Sequence, residues 1–204
     1  ARFILDHVVA PVPHRHYVLA IPRMLRPYFQ RQRRLLKRLC ALAHESLTEY
    51  LRTALDCSQG VPGVIMTLHT FGEYLDFHPH VHALVADGLF LREAFPPQPA
   101  ATTTPDKPPP PSPEFLPLPE TPLKPLEELF RAKIIHLLVE EKLLPAERVQ
   151  VLYSWKHSGF NLHAGELVPP EAKADLEDLA QYILRNPFSV EKMTLESPTD
   201  TVIY

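Results

Sequence analysis

Between Phe95 and Pro125 the chain holds 13 prolines, among them the run Pro108-Pro109-Pro110-Pro111. Each proline fixes φ at about −65° and removes a backbone donor, so neither a helix nor a central strand can run through this stretch. Residues 95–125 are therefore expected to form an extended, polyproline-like or disordered insertion in which no element packs. A spacer is the preferred reading, ahead of a ligand for a proline-binding module. The fold must be assembled from the two flanks.

The flanks suffice for that, since 45% of the 204 residues are hydrophobic and a single domain spanning 1–204 is the expectation. The opening Arg2-Phe3-Ile4-Leu5-Asp6-His7 lacks the pattern of a signal peptide, and the start at Ala1 reads as that of an excised fragment. No apolar run approaches the roughly 20 residues of a membrane helix, so a soluble protein without a membrane partner is expected. Cys40 and Cys57 form no CxxC pair or disulfide framework, which favours a reducing, cytoplasmic compartment. The net charge of −3 weighs mildly against nucleic acid, yet Arg23, Arg26, Arg31, Arg33, Arg34, Lys37 and Arg38 form a run without an acid. That run is either a solvated helix face or a surface for phosphates, with Arg31, Arg34 and Arg38 the candidate DNA contacts. Tyr17, Tyr28 and Phe29 offer stacking faces for unpaired bases, although core packing is the preferred reading of all three.

The periodicities predict a strand over His16–Ile21 ended by Pro22, then one helix from about Pro27 to Leu55 with Phe29, Leu35, Leu36, Leu39, Ala43, Leu47, Leu51 and Leu55 on its apolar face. Strands follow at Val64–His69 and His80–Val85, with Asp87-Gly88 as a turn. Beyond the insertion, helices are expected over Leu126–Lys142, Pro145–Tyr153 and Asp175–Leu184, a strand over Gly159–His163, and a closing strand at Val202–Tyr204. The polar stretch Lys156-His157-Ser158-Gly159 suits either a turn or a close approach to a phosphate backbone and receives no role.

The most informative segment is His78-Pro79-His80-Val81-His82. Strand residues two apart share a face, so His80 and His82 present two imidazoles to one side. His69, on the neighbouring predicted strand, can be brought beside them by a hairpin, and three histidines with an open position suit a catalytic metal rather than a closed structural one. The bland alternative is a histidine-rich strand satisfied by backbone hydrogen bonds. His78, beside Pro79, fits that alternative best and is kept as a spare ligand.

These residues resemble the HUH endonucleases, whose histidine-hydrophobic-histidine signature is matched by His80-Val81-His82, and most nearly the rolling-circle transposases of the insertion-sequence ninety-one type. The resemblance also rests on Pro13-His14-Arg15-His16-Tyr17 with Ile21-Pro22, Leu68-His69-Thr70-Phe71-Gly72, Trp155-Lys156-His157-Ser158-Gly159-Phe160 and Tyr182-Ile183-Leu184-Arg185-Asn186-Pro187-Phe188-Ser189. It implies an α+β domain with a mostly antiparallel sheet and flanking helices, the RNA-recognition-motif-like palm of those enzymes. It further implies a divalent cation, Mg²⁺ or Mn²⁺, on His69, His80 and His82, although three imidazoles also suit Zn²⁺ or Ni²⁺. The spacing of His69 is similar to that of the third histidine in conjugative relaxases.

By the same resemblance Tyr182 is the nucleophile and forms a 5′-phosphotyrosine link, and Arg185, three residues on, is a candidate phosphate contact. Asn186 stands where some relatives carry a second tyrosine, which implies a single-tyrosine enzyme. The partners implied are single-stranded DNA at transposon ends and target, in bacterial cytoplasm with nucleoid association. The cysteine-rich zinc module that precedes this domain in full-length relatives has no counterpart here. A plasmid replication initiator or relaxase shares the same chemistry, and a noncatalytic DNA-binding remnant of a transposase is the alternative from another class.

Overall fold

The computed structural model describes residues 2–72, 76–91, 114–155, 157–184, 194–196 and 201–203. Its elements in chain order are α1 (Arg2–His7), β1 (His14–Ala20), α2 (Arg26–Arg31), α3 (Arg34–Ala54), β2 (Val64–Phe71), β3 (Phe77–Ala86), β4 (Gly88–Phe90), β5 (Phe115–Pro117), α4 (Lys124–Glu140), α5 (Ala146–Ser154), β6 (Asn161–Val168), α6 (Lys173–Leu184), β7 (Thr194–Glu196) and β8 (Thr201–Ile203). The α+β class is as expected. Strands β2, β3, β1 and β6 form, in that spatial order, one four-stranded sheet in which every neighbouring pair is antiparallel.

Alternation along the strands divides the sheet into two faces with different work. Tyr17 and Leu19 of β1, Met66 and Leu68 of β2, Val81, Ala83 and Val85 of β3, and Leu162 of β6 all join the main core. That core is closed by Phe29 of α2, by Leu35, Leu39, Leu47 and Leu51 of α3, and by Leu126, Phe130 and Ile134 of α4. The opposite face carries His80, His82 and Leu84. Leu84 there packs with Leu176 and Ile183 of α6, flanked by Leu5, Val9, Ile65, Val168 and Leu179, in a second and smaller cluster. Thus α3 and α4 lie under the sheet and α6 lies over it.

The helix expected from Pro27 to Leu55 is interrupted. Gln32, with φ −120° and ψ 78°, separates α2 from α3. Phe29 and Leu35 are both fully buried, and in one continuous helix they would stand roughly 120° apart around the axis; the break turns both toward the core. Helix α3 then buries its apolar stripe as the spacing predicts. Asp56 in the left-handed region, φ 47°, ends it while Cys57 N–H returns to Arg52 O at 2.9 Å.

Two further expectations are corrected. Asp87-Gly88 is no simple hairpin turn. Asp87 is a buried corner that receives a forked pair of bonds from Arg15, both 3.1 Å, and Gly88 begins a strand that leaves the main sheet. The proline-rich stretch does contain a packed element, because Phe115–Pro117 pairs antiparallel with Gly88–Phe90 in the register Phe90↔Phe115 and Gly88↔Pro117. Pro117 occupies the end of this edge strand, where a missing donor is tolerated. The remainder of the 95–125 insertion, up to residue 113, lies outside the described residues. The closing strand appears as β8, paired with β7 in a separate two-stranded hairpin.

No helix among the described residues is long and apolar enough to cross a membrane.

Candidate functional site

Antiparallel pairing of β2 with β3 places His69 directly opposite His80, and the two-residue period of β3 puts His82 on the same face. One candidate ligand atom from each of His69, His80 and His82 can be chosen so that all lie within 4.8 Å of one another. The ring centroids are 4.5 Å apart for His69 and His82, 4.9 Å for His80 and His82, and 5.5 Å for His69 and His80. His82 is buried and the other two are half-buried. Metal–nitrogen bonds of about 2.1 Å need the three nitrogens somewhat closer together, which small side-chain rotations supply. The donor set therefore fits a divalent cation. His78, the spare ligand of the sequence reading, lies outside this trio; its carbonyl instead accepts His80 Nδ1–H at 2.7 Å, which aims the Nε2 edge of His80 at the cluster. Pro79 sits beside the register shift between His69 and Phe71, where its missing donor does not interrupt the ladder.

Helix α6 sets Tyr182 over the same rings. Leu176, Ala180 and Ile183 form its buried stripe, and Tyr182, 42% exposed, projects beside it. The Tyr182 ring meets His82 edge-on at 5.6 Å and His16 at 5.9 Å. The last turn of α6 is pinned to β2, because the Ile183 carbonyl accepts Thr67 Oγ1–H at 3.0 Å and His69 Nε2–H at 3.2 Å. A helix's final carbonyls have no intrahelical partner, so these side chains supply what the helix lacks. His69 thus belongs to the histidine cluster and also holds the helix that carries Tyr182.

His16 belongs to the site although its sequence position gave it no assigned role. Its Nε2 lies 2.9 Å from His82 Nδ1. Alternation along β1 was the available signal, since His16 pairs with Leu84 and Val18 with His82 on the histidine face. Burial lowers the pKa of His16, with the nearby His163 adding to the effect. Burial also lowers that of His80, only partly offset by its bond to the His78 carbonyl, and Arg26 pushes in the same direction as burial. Neutral imidazoles, the form that ligates a cation, are favoured at both positions.

The basic run is split by the sheet. Arg31, Arg34 and Arg38 are exposed on helices that pack against the face opposite the histidines, and Arg34 forks onto Glu141. The structure does not bring these three to the histidine cluster. Arg26 does reach that end of the sheet, where it pairs with Asp76 at 3.1 Å and its charge bears on His78 and His80. Arg185 and Asn186 lie outside the described residues. Tyr17 and Phe29 are core, and Tyr28 packs against the core, half-buried. Gly159 has φ +71° with Pro22 behind it, as a turn requires.

Residues 63–103 match the family model described as "Putative transposase". The matched stretch contains β2, β3 and β4, hence all three clustered histidines. It supports a role in transposition and in processing DNA. No curated protein and no solved structure is significantly similar to the chain.

Proposed function

We propose that this domain nicks and rejoins single-stranded DNA in transposition, as an HUH-type enzyme with Tyr182 as its nucleophile. The observation that carries the reading is the meeting of Tyr182, on a pinned helix, with a cluster of three histidines suited to a divalent cation. His69, His80 and His82 would hold Mg²⁺ or Mn²⁺. Such a cation, when bound, withdraws charge from a non-bridging phosphate oxygen.

The rest of the chemistry belongs to the chain. The Tyr182 oxygen attacks phosphorus, its proton passes to solvent, and the phosphorus–O3′ bond breaks to release a 3′-hydroxyl. The 5′-phosphotyrosine ester conserves the energy of the broken bond, so a second 3′-hydroxyl reverses the step on a new strand and regenerates Tyr182. Thr67 and His69 hold the tyrosine's helix at its last turn, and Ile183 seats it on the sheet. Transposon ends and target supply the strands; Arg185, three residues after Tyr182, is proposed to contact the scissile phosphate, and Arg31, Arg34 and Arg38 to contact the strand away from it.

The test uses 5′- and 3′-labelled single-stranded oligonucleotides from the element's ends, with Mn²⁺ or EDTA, resolved on a denaturing gel. A cation-dependent adduct on the downstream fragment, lost in Tyr182→Phe, is expected. Binding without cleavage at any end sequence would instead identify a noncatalytic remnant.

A further inference from the structure

Each of the three clustered imidazoles has one ring nitrogen engaged by a neighbour: His80 by the His78 carbonyl, His69 by the Ile183 carbonyl and His82 by His16 Nε2. The first two partners are carbonyls, which only accept, so they place the proton of a neutral imidazole on the engaged nitrogen and the lone pair on the opposite one. The third partner is different in kind. An imidazole nitrogen either donates or accepts, and only one of these arrangements makes His82 a ligand. If His82 Nδ1–H donates to His16, the lone pair of His82 sits on Nε2. If His16 Nε2–H donates to His82, then Nε2 of a neutral His82 carries a proton and cannot coordinate through that edge.

The contact geometry suits a directed bond. The two rings are within 10° of parallel, with centroids 5.1 Å apart and nitrogens 2.9 Å apart. That centroid separation is close to the longest a contact of this length permits, so the two nitrogens lie near the line joining the rings, in line for N–H to lone pair.

We propose that His16 is a positioning residue for the cation site: by accepting the Nδ1–H of His82 it selects the tautomer that ligates. The inference rests on the metal-binding reading of the cluster. It assigns a role to a residue on β1 that stands outside the three-histidine cluster. Because the acceptor is an imidazole and not a carboxylate, it orients the ligand without placing an anion next to the phosphate.

Titration of the apo protein with Co²⁺, read by its visible absorption, tests the proposal without DNA. His16→Ala is expected to weaken Co²⁺ binding by about 10–100-fold, as removal of an outer partner of a metal-bound histidine does. His16→Gln, whose amide oxygen can accept the same proton, is expected to recover most of the affinity. Long-range ¹⁵N–¹H spectra of the apo protein should show His82 protonated at Nδ1 in the wild type and a tautomer mixture in His16→Ala. Unchanged affinity in His16→Ala overturns the proposal, as does equal weakening in His16→Ala and His16→Gln. Absence of Co²⁺ binding by the wild type, with His80→Ala as the control, overturns the underlying cation site and this inference with it; loss confined to the His16 variants leaves the site standing.

Discussion

Tyr182 rides on a helix that is held by a cluster separate from the main core, and this separation predicts how the domain opens. Ile183 is 1% exposed, and its side chain belongs to the small cluster of Leu84 and Leu176 with their half-buried neighbours rather than to the main core. Ile183→Ala removes three carbons, worth about 2.4 kcal/mol at roughly 0.8 kcal/mol each, before any cavity is counted. Measured Ile→Ala costs span about 2–5 kcal/mol. The half-buried surroundings can collapse into the gap, so a value near 2.5 kcal/mol is expected, which multiplies the population with α6 undocked by about 70. Leu39→Ala, at a fully buried α3 position in the main core, is the counterpart and costs a similar or larger amount. Native-state hydrogen exchange distinguishes the two. Ile183→Ala should accelerate the α6 amides, and also the α3 amides, whose global opening starts from the same destabilised state. Leu39→Ala should accelerate α3 and leave α6 unchanged, because α6 can leave the sheet with the main core intact. Equal acceleration of α6 and α3 amides in Leu39→Ala would refute the two-cluster argument.

Three further outcomes follow from the geometry. Burial lowers the pKa of His14, His16, His78 and His80; the unfolded chain therefore takes up protons first as pH falls through about 6.5, and apo stability must decline on acidification until the folded histidines also protonate. A urea midpoint in EDTA that is equal or higher at about pH 5.5 than at about pH 7.5 would contradict this. Thr67→Val removes one of the two donors to Ile183 O, at a net cost of about 0.5–1.5 kcal/mol; α6 exchange and the nicking rate should change together, with Thr67→Ser close to wild type, and Co²⁺ affinity should hold. At Gly88 an added Cβ collides with the Leu116 carbonyl across the β4–β5 pair, so Gly88→Ala should lower the melting temperature by an amount equivalent to about 1–3 kcal/mol, and an unchanged melting temperature would mean that pair is not formed.

Much of this architecture could be read from the chain because period-2 and period-3.6 patterns record which side of an element is buried. Val81, Ala83 and Val85 alternate with His80 and His82, and this assigned β3 one chemical and one apolar face. The joining of His69 to that pair also followed from local rules, since a hairpin between neighbouring strands fixes who stands opposite whom. Contacts between elements distant in sequence left no such trace. Nothing periodic links His16 to His82 across 66 positions, or Thr67 to Ile183 across 116. The break at Gln32 was hidden for a related reason: helix propensity is continuous there, and the change of direction is imposed by the packing of Phe29 and Leu35. The pairing of Phe115–Pro117 was missed because proline density was given more weight than the apolar Phe115 and Leu116 within it.

Strand β3 interleaves the histidines of the cluster with core residues one position apart, and this has a consequence for how such a gene fails. Insertion or loss of a single codon between Pro79 and His82 turns every later side chain of the strand to the opposite side. Imidazoles would then enter the apolar interior while valines took up their former positions beneath Tyr182. The histidine cluster and foldedness are erased by the same event, so frameshift-free length changes here should leave no folded, silent protein behind, whereas a point substitution at His80 or His82 should leave a stable domain with the cluster broken.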